Sequence, residues 1–115
     1  MAPEDSQYLD KYQSHNDSEQ EANRIIVVGV GGGGNNAIDH MFRQGVEHVS
    51  FVVVNTDGQA LKNSSVPTRL LIGPNTTKGR GAGNDPDVAR AAAEESAVQI
   101  ADIFTDDMDM VFVTA

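Results

Sequence analysis

The chain predicts an α/β fold: a parallel sheet with flanking helices, Rossmann-like in type. Three observations carry this. Apolar, β-branched runs alternate with helix-like stretches from Arg24 to Ala115. The 39% hydrophobic content comes mainly from Val, Ile, Leu and Ala, with only 5% aromatics and no Trp, which suits strands buried on both faces. A run of glycines also joins the first apolar run to the helical stretch behind it.

Ile25 to Val28 has the length and β-branching of a buried strand. A helix is expected from about Asn36 to Gln44, with Ala37, Ile38, Met41 and Phe42 on one face and Gly45 as its stop. Ser50–Asn55 is apolar on both faces and reads as a central strand. Gly58–Asn63 is a short helical turn, and Arg69–Ile72 a short third strand. A loop from Gly73 to Asp85 leads to a second helix, with Asp85 as N-cap and Pro86 at the first helical position. Ala93, Ala97, Ile100 and Phe104 are expected to line its buried side, and Asp106 and Asp107 to end it. Met110–Thr114 reads as another central strand. The chain stops at Ala115, where an α/β sheet would put a functional loop, and so reads as a domain truncated after a central strand.

At 115 residues there is room for one domain. Two segments are expected: a disordered acidic leader over 1–23 and an incomplete nucleotide-binding domain over 24–115. The leader holds six acids (Glu4, Asp5, Asp10, Asp17, Glu19, Glu21) against Lys11, more than half of the net charge of −9. That charge argues against nucleic acid as a partner. No apolar run reaches the roughly 18 residues of a membrane span. Without cysteine there are no disulfides, thiolate metal sites or thiol nucleophiles, which fits a reducing cytoplasm.

Arg24 to Asn36, RIIVVGVGGGGNN, carries most of the functional signal. Strand, glycine turn and helix N-terminus in this order make a phosphate cradle, because glycine lets bare backbone N–H groups approach an anion that the helix dipole also favours. Gly29, Gly31 and Gly34 fit G-x-G-x-x-G, and Asp57 lies 23 residues past Gly34, so a dinucleotide is one candidate ligand. No G-K-[ST] triplet follows at P-loop spacing. A second glycine loop, Lys78 to Pro86, again precedes a helix, and its Lys78 or Arg80 would add positive charge. If the two loops converge they would contact different phosphates of one polyphosphate, which favours a nucleoside triphosphate. Asp57 would accept from a ribose hydroxyl or hold a water on Mg²⁺; as a turn-capping residue it needs no ligand. His15, His40 and His48 have no metal-like spacing, Glu94-Glu95 reads as a solvated helix face, and no nucleophile has a base beside it.

IIVVGVGGGGNNAIDHM, FVVVNTDGQAL, TKGRGAGNDPDVARAAAEES and DMVFVTA, in this order, resemble the N-terminal half of the FtsZ branch of the tubulin/FtsZ GTPase family, over about residues 24–115. The resemblance implies a GTP-binding, GTP-hydrolysing protein of bacterial cell division. It would polymerise head to tail into protofilaments of the cytokinetic ring, at mid-cell in the cytoplasm. It implies GTP or GDP with Mg²⁺, and as partners the protein itself, membrane-tethering and other division proteins, with no membrane insertion of its own. Phosphate contacts would map to Gly32, Gly33, Gly34, Asn35 and Asn36, the γ-phosphate loop to Ala82, Gly83 and Asn84, and the family acid to Asp57. No catalytic residue or metal ligand is expected within the chain, since a neighbouring subunit supplies the group that activates water. The chain alone is expected to bind GTP weakly at best, without turnover. Two departures stand out. Asn35 replaces a common fifth glycine, where its tolerance of left-handed backbone would preserve the turn. The usual G-A-G-A-N-P becomes Gly81-Ala82-Gly83-Asn84-Asp85-Pro86. An NAD(P)-dependent oxidoreductase domain is the alternative function.

Overall fold

The computed structural model describes residues 24–115; the acidic leader expected over 1–23 lies outside the described residues. Four strands, β1 (Ile25–Val30), β2 (Val49–Asn55), β3 (Arg69–Leu71) and β4 (Met110–Thr114), form one sheet in the order β3-β2-β1-β4. All three pairings are parallel, with Val27 opposite Phe51 on one side and Phe112 on the other. The predicted α/β class and all four predicted strands are present.

Side chains alternate across the sheet and supply two cores. Val27, Phe51 and Val53 pack with Ile38 of α1 (Gly31–Arg43) and with Leu61 of α2 (Gly58–Lys62). Ile26, Val28, Val52, Val54 and Leu70 point the other way and meet Ile103. Ile103 closes α5 (Ala97–Ile103), which follows α4 (Pro86–Glu95). A further short helix, α3 (Pro74–Thr77), occupies the stretch expected to be loop.

Four expectations are corrected. Helix α1 starts at Gly31 rather than Asn36, so the glycines are its first turn. Within it Ile38 is buried and Met41 half-buried, while Ala37 and Phe42 are exposed, Phe42 lying edge-on to Phe51. The second helix breaks at Ser96, whose buried hydroxyl accepts the Gly73 N–H at 2.9 Å. This contact, with Gly73 pressed against Ala92, turns Ala92, Ser96 and Ile103 inward, one position before the expected Ala93, Ala97 and Phe104. Strand β4 is an edge of the described sheet, not a centre, and its Met110, Val111, Phe112 and Val113 are 44–63% exposed. Its composition follows the pattern of a central strand, but in the described sheet it pairs on one side only.

Glu95 is not merely solvated. Its carboxylate accepts from the Asn75 and Thr76 N–H groups at 2.9 and 2.8 Å and from the Thr76 hydroxyl at 2.7 Å, capping α3. The Thr76 hydroxyl first, then the Asn75 N–H, favour the ionised form and hold its pKa below the ordinary value of 4.5. A depressed folded-state pKa means the cap stabilises above the unfolded value and is lost as pH falls through the lower folded one. Glu95→Gln should therefore lower the melting temperature at pH 7, and the gap to the unsubstituted chain should narrow progressively as the pH of the melt is taken down below the ordinary carboxylate range.

Candidate functional site

In an open parallel sheet the ligand crevice lies beyond the C-terminal strand ends, where the strand order reverses. Here β1 connects to β2 on one side and pairs with β4 on the other, so that point falls between the ends of β1 and β4. Helix α1 begins there. A Cβ built on Gly29 would sit 2.4 Å from both the Gly34 carbonyl oxygen and Ile38 Cγ1, and one on Gly34 would sit 2.5 Å from the Thr114 oxygen. Only two glycines let the helix backbone approach the strand backbone this closely. Gly31, at φ 75°, makes the turn from strand to helix.

The N-terminus of α1 carries no side-chain cap and no acid in its first turn. The first four N–H groups of any helix lack intrahelical partners, so this end is a cluster of free donors with the positive dipole end behind them. Helices α2 and α4 differ. Asp57 caps α2 through the Gln59 and Ala60 N–H groups at 2.9 and 3.3 Å, and Asp85 caps α4 through Asp87 N–H at 3.0 Å. The carboxylates near the cleft are thus turned onto other helices.

An open cleft of about 520 Å³ joins the two glycine segments; its lining includes Gly31, Gly32, Asp57, Ala82, Gly83 and Asn84. The second loop is stitched to the end of β2: Gly81 N–H donates to Thr56 O at 3.3 Å and Gly58 N–H to Gly79 O at 3.0 Å, beside an antiparallel bridge between Asp57 and Arg80. Arg80 lines the cleft and brings a cation to it, whereas Lys78 is not in the lining.

Of the sequence-predicted site residues, Gly32, Asp57, Ala82, Gly83 and Asn84 meet in this cleft. Gly33 is exposed beside Ala115, and Asn36 is exposed on α1 outside the lining. Gly34 and Asn35 are buried. Asn35 is not in left-handed backbone as expected but in the body of α1, where its side-chain amide donates to Gly29 O at 2.9 Å and Val54 O at 3.1 Å. The left-handed residue is Asn84, at φ 60°, so a residue type that tolerates this region stands where the loop needs it. Asp57 performs the capping role open to it in the sequence. Gly31, expected only as a motif glycine, and Asn55, not among the expected ligand contacts, also line the cleft. The signal for Asn55 was a polar residue ending a strand apolar on both faces. Among the described residues no group of His, Cys, Asp and Glu is arranged to hold a metal, and no helix is long and apolar enough to cross a membrane.

An open parallel sheet with an uncapped, glycine-built helix start at its switch point defines a class, the phosphate-binding α/β domains. The family described as Tubulin/FtsZ family, GTPase domain, matches residues 24–115, and the chain belongs to that family. It is 51% identical over 90 residues to the cell division protein FtsZ of Pseudomonas aeruginosa and 50% identical over 92 residues to that of Coxiella burnetii. These alignments take in 78% and 80% of this chain but 23% and 24% of the relatives, so the chain spans about a quarter of their length. Among solved structures, a tryptophan-to-tyrosine mutant of FtsZ from M. jannaschii superposes with a TM-score of 0.73 at 40% identity, over 97% of this chain and 32% of the other. An empty FtsZ dimer from the same organism gives the same TM-score and identity, over 98% and 31%. Family membership sets aside the NAD(P) oxidoreductase reading.

The tight seat of α1 gives a direct test. Gly34→Ala must push Thr114 away from the helix, and overpacking of this kind costs about 2 kcal/mol. Urea denaturation should show that loss, with the largest drop in hydrogen-exchange protection along β4.

Proposed function

We propose that this chain carries the phosphate-facing part of a guanine-nucleotide site, and that the protein sharing this segment is a self-polymerising GTPase of bacterial cell division. The observation that carries the reading is the uncapped first turn of α1 facing a second glycine loop across one cleft. Gly32 and Gly33 would present N–H groups to the phosphates, with Gly34, Asn35 and Asn36 completing the turn and first helical segment. Ala82, Gly83 and Asn84 would face the γ-phosphate, and Arg80 would add charge from the same wall. Backbone donors fixed in place cost no reorganisation when the anion arrives. Asp57, holding α2 through one carboxylate oxygen, would turn the other toward ribose or a Mg²⁺-bound water.

The relatives named as cell division proteins support the wider part of the reading. The empty FtsZ dimer from M. jannaschii supports self-association, which we extend to head-to-tail protofilaments. GDP as product, Mg²⁺ as counter-ion, membrane-tethering and other division proteins as partners, and a cytoplasmic mid-cell ring as location follow from the same reading. Water activation would come from a neighbouring subunit, so this chain alone would bind nucleotide weakly and not turn it over.

A Cβ on Gly32 meets nothing within 4 Å, so a side chain there would start into the open cleft that the ligand would occupy. Gly32→Leu should leave the fold within about 0.5 kcal/mol, as expected of a substitution away from packed structure. It should weaken GTP binding at least about tenfold, the equivalent of about 1.4 kcal/mol. Fluorescence titration of both proteins with GTP and with NAD checks this. Uptake of NAD in preference to GTP, or identical GTP curves for the two proteins, would refute the proposal.

A further inference from the structure

Asn35 and Asn55 are 4% and 7% exposed, and their side chains form a chain of hydrogen bonds that crosses the floor of the cleft. Asn35 Nδ2 donates to Gly29 O at 2.9 Å and Val54 O at 3.1 Å, and Asn35 Oδ1 accepts from Asn55 Nδ2 at 3.0 Å. Asn55 Oδ1 in turn accepts the Asp57 N–H at 3.0 Å. Backbone groups fix both amide orientations: two carbonyl oxygens can only face the Asn35 nitrogen, and an N–H can only face the Asn55 oxygen.

The two ends of this chain are the two walls of the site. Gly29 is the last residue but one before the turn at Gly31, and its Cα lies against Gly34 in the first turn of α1. Asp57 and the neighbouring Thr56 hold the second loop, through the Asp57–Arg80 bridge and the Gly81 N–H to Thr56 O bond. A helix-interior position does not favour asparagine on propensity, and a buried amide is costly unless satisfied. Asn35 has both amide hydrogens and its oxygen engaged, so its burial is compensated by linking three elements.

Resting on the phosphate reading above, we propose that Asn35 and Asn55 are a positioning relay that sets the gap between the glycine turn and the second loop. Phosphate affinity then depends on Asn35 even though its side chain is spent on protein groups. In a dry, low-dielectric floor the bonds reinforce one another, and losing either amide releases the same constraint. A purely structural pair would lower stability and leave the folded fraction binding as before.

The test compares the 115-residue chain with Asn35→Ala, Asn55→Ser, the double variant and Ile103→Val, a core change on the other face of the sheet. Amide hydrogen exchange and GTP titration of the folded protein are the readouts. In Asn35→Ala, exchange at Asp57 and Gly81 should accelerate at least about tenfold, in keeping with a lost buried hydrogen bond, and GTP affinity should fall by a similar factor. Ile103→Val should change neither, and the double variant should be no worse than the worse single one. If Asn35→Ala does not fold, Asn55→Ser carries the same expectation at Gly29 and Gly81. Unchanged Gly81 exchange, folded single variants that bind GTP like the unsubstituted chain, or effects that multiply in the double variant would each overturn the relay. Coupled exchange in a chain that takes up no GTP would instead remove the phosphate reading and leave the relay standing.

Discussion

The contact on which this structure depends is backbone against backbone: the first turn of α1 lies directly on the ends of β1 and β4. It exists because neither Gly29 nor Gly34 has a Cβ, and a methyl at either position would overlap a carbonyl oxygen. The close seat fixes where the helix axis points and where its free N–H groups emerge. Were the helix an ångström or two further out, the same residues would form the same helix, but its positive end would no longer face the second loop. Preorganised donors act through such fixed placement.

An acidic chain with a net charge of −9 is an unpromising anion binder by composition. In the structure three of its carboxylates are engaged in capping helices. Asp57, Asp85 and Glu95 each accept from the first-turn N–H groups of a different helix, α2, α4 and α3. Asp57 and Asp85 line the cleft with one carboxylate oxygen each engaged on a helix N-terminus, while α1 has no side-chain cap of its own.

Much of the fold was legible because it follows short-range rules. The strand in Val49–Asn55 declares itself by an apolar run, and the start of α4 by Asp85-Pro86, a cap followed by a residue preset for the first turn. The start of α1 was not legible. Four glycines in a row read as a turn on propensity, yet all four fall within α1, whose close seat on β1 and β4 through Gly34 offsets their entropic cost. Nor could sequence spacing reveal the break at Ser96: Ala93, Ala97, Ile100 and Phe104 keep helical periodicity, and so do the residues one position earlier. The Gly73 N–H, 23 residues away, decided between them.

Residue order alone determined the alternation of strands and helices, the presence of two glycine loops ahead of helix starts, and the polar residues at the end of β2. These are local properties, fixed by which side chains branch at Cβ, which lack one, and which can cap. Only tertiary structure decided that the two loops face one cleft, that Asn35 and Gly34 are buried while Gly32 lines that cleft, and that β4 takes an edge of the described sheet. Those outcomes depend on contacts between segments 20 to 85 residues apart, such as Asn35 with Asn55 and Arg24 with Asp109. Such contacts form only once the sheet order has brought the segments together, and no pattern along the chain encodes that distance.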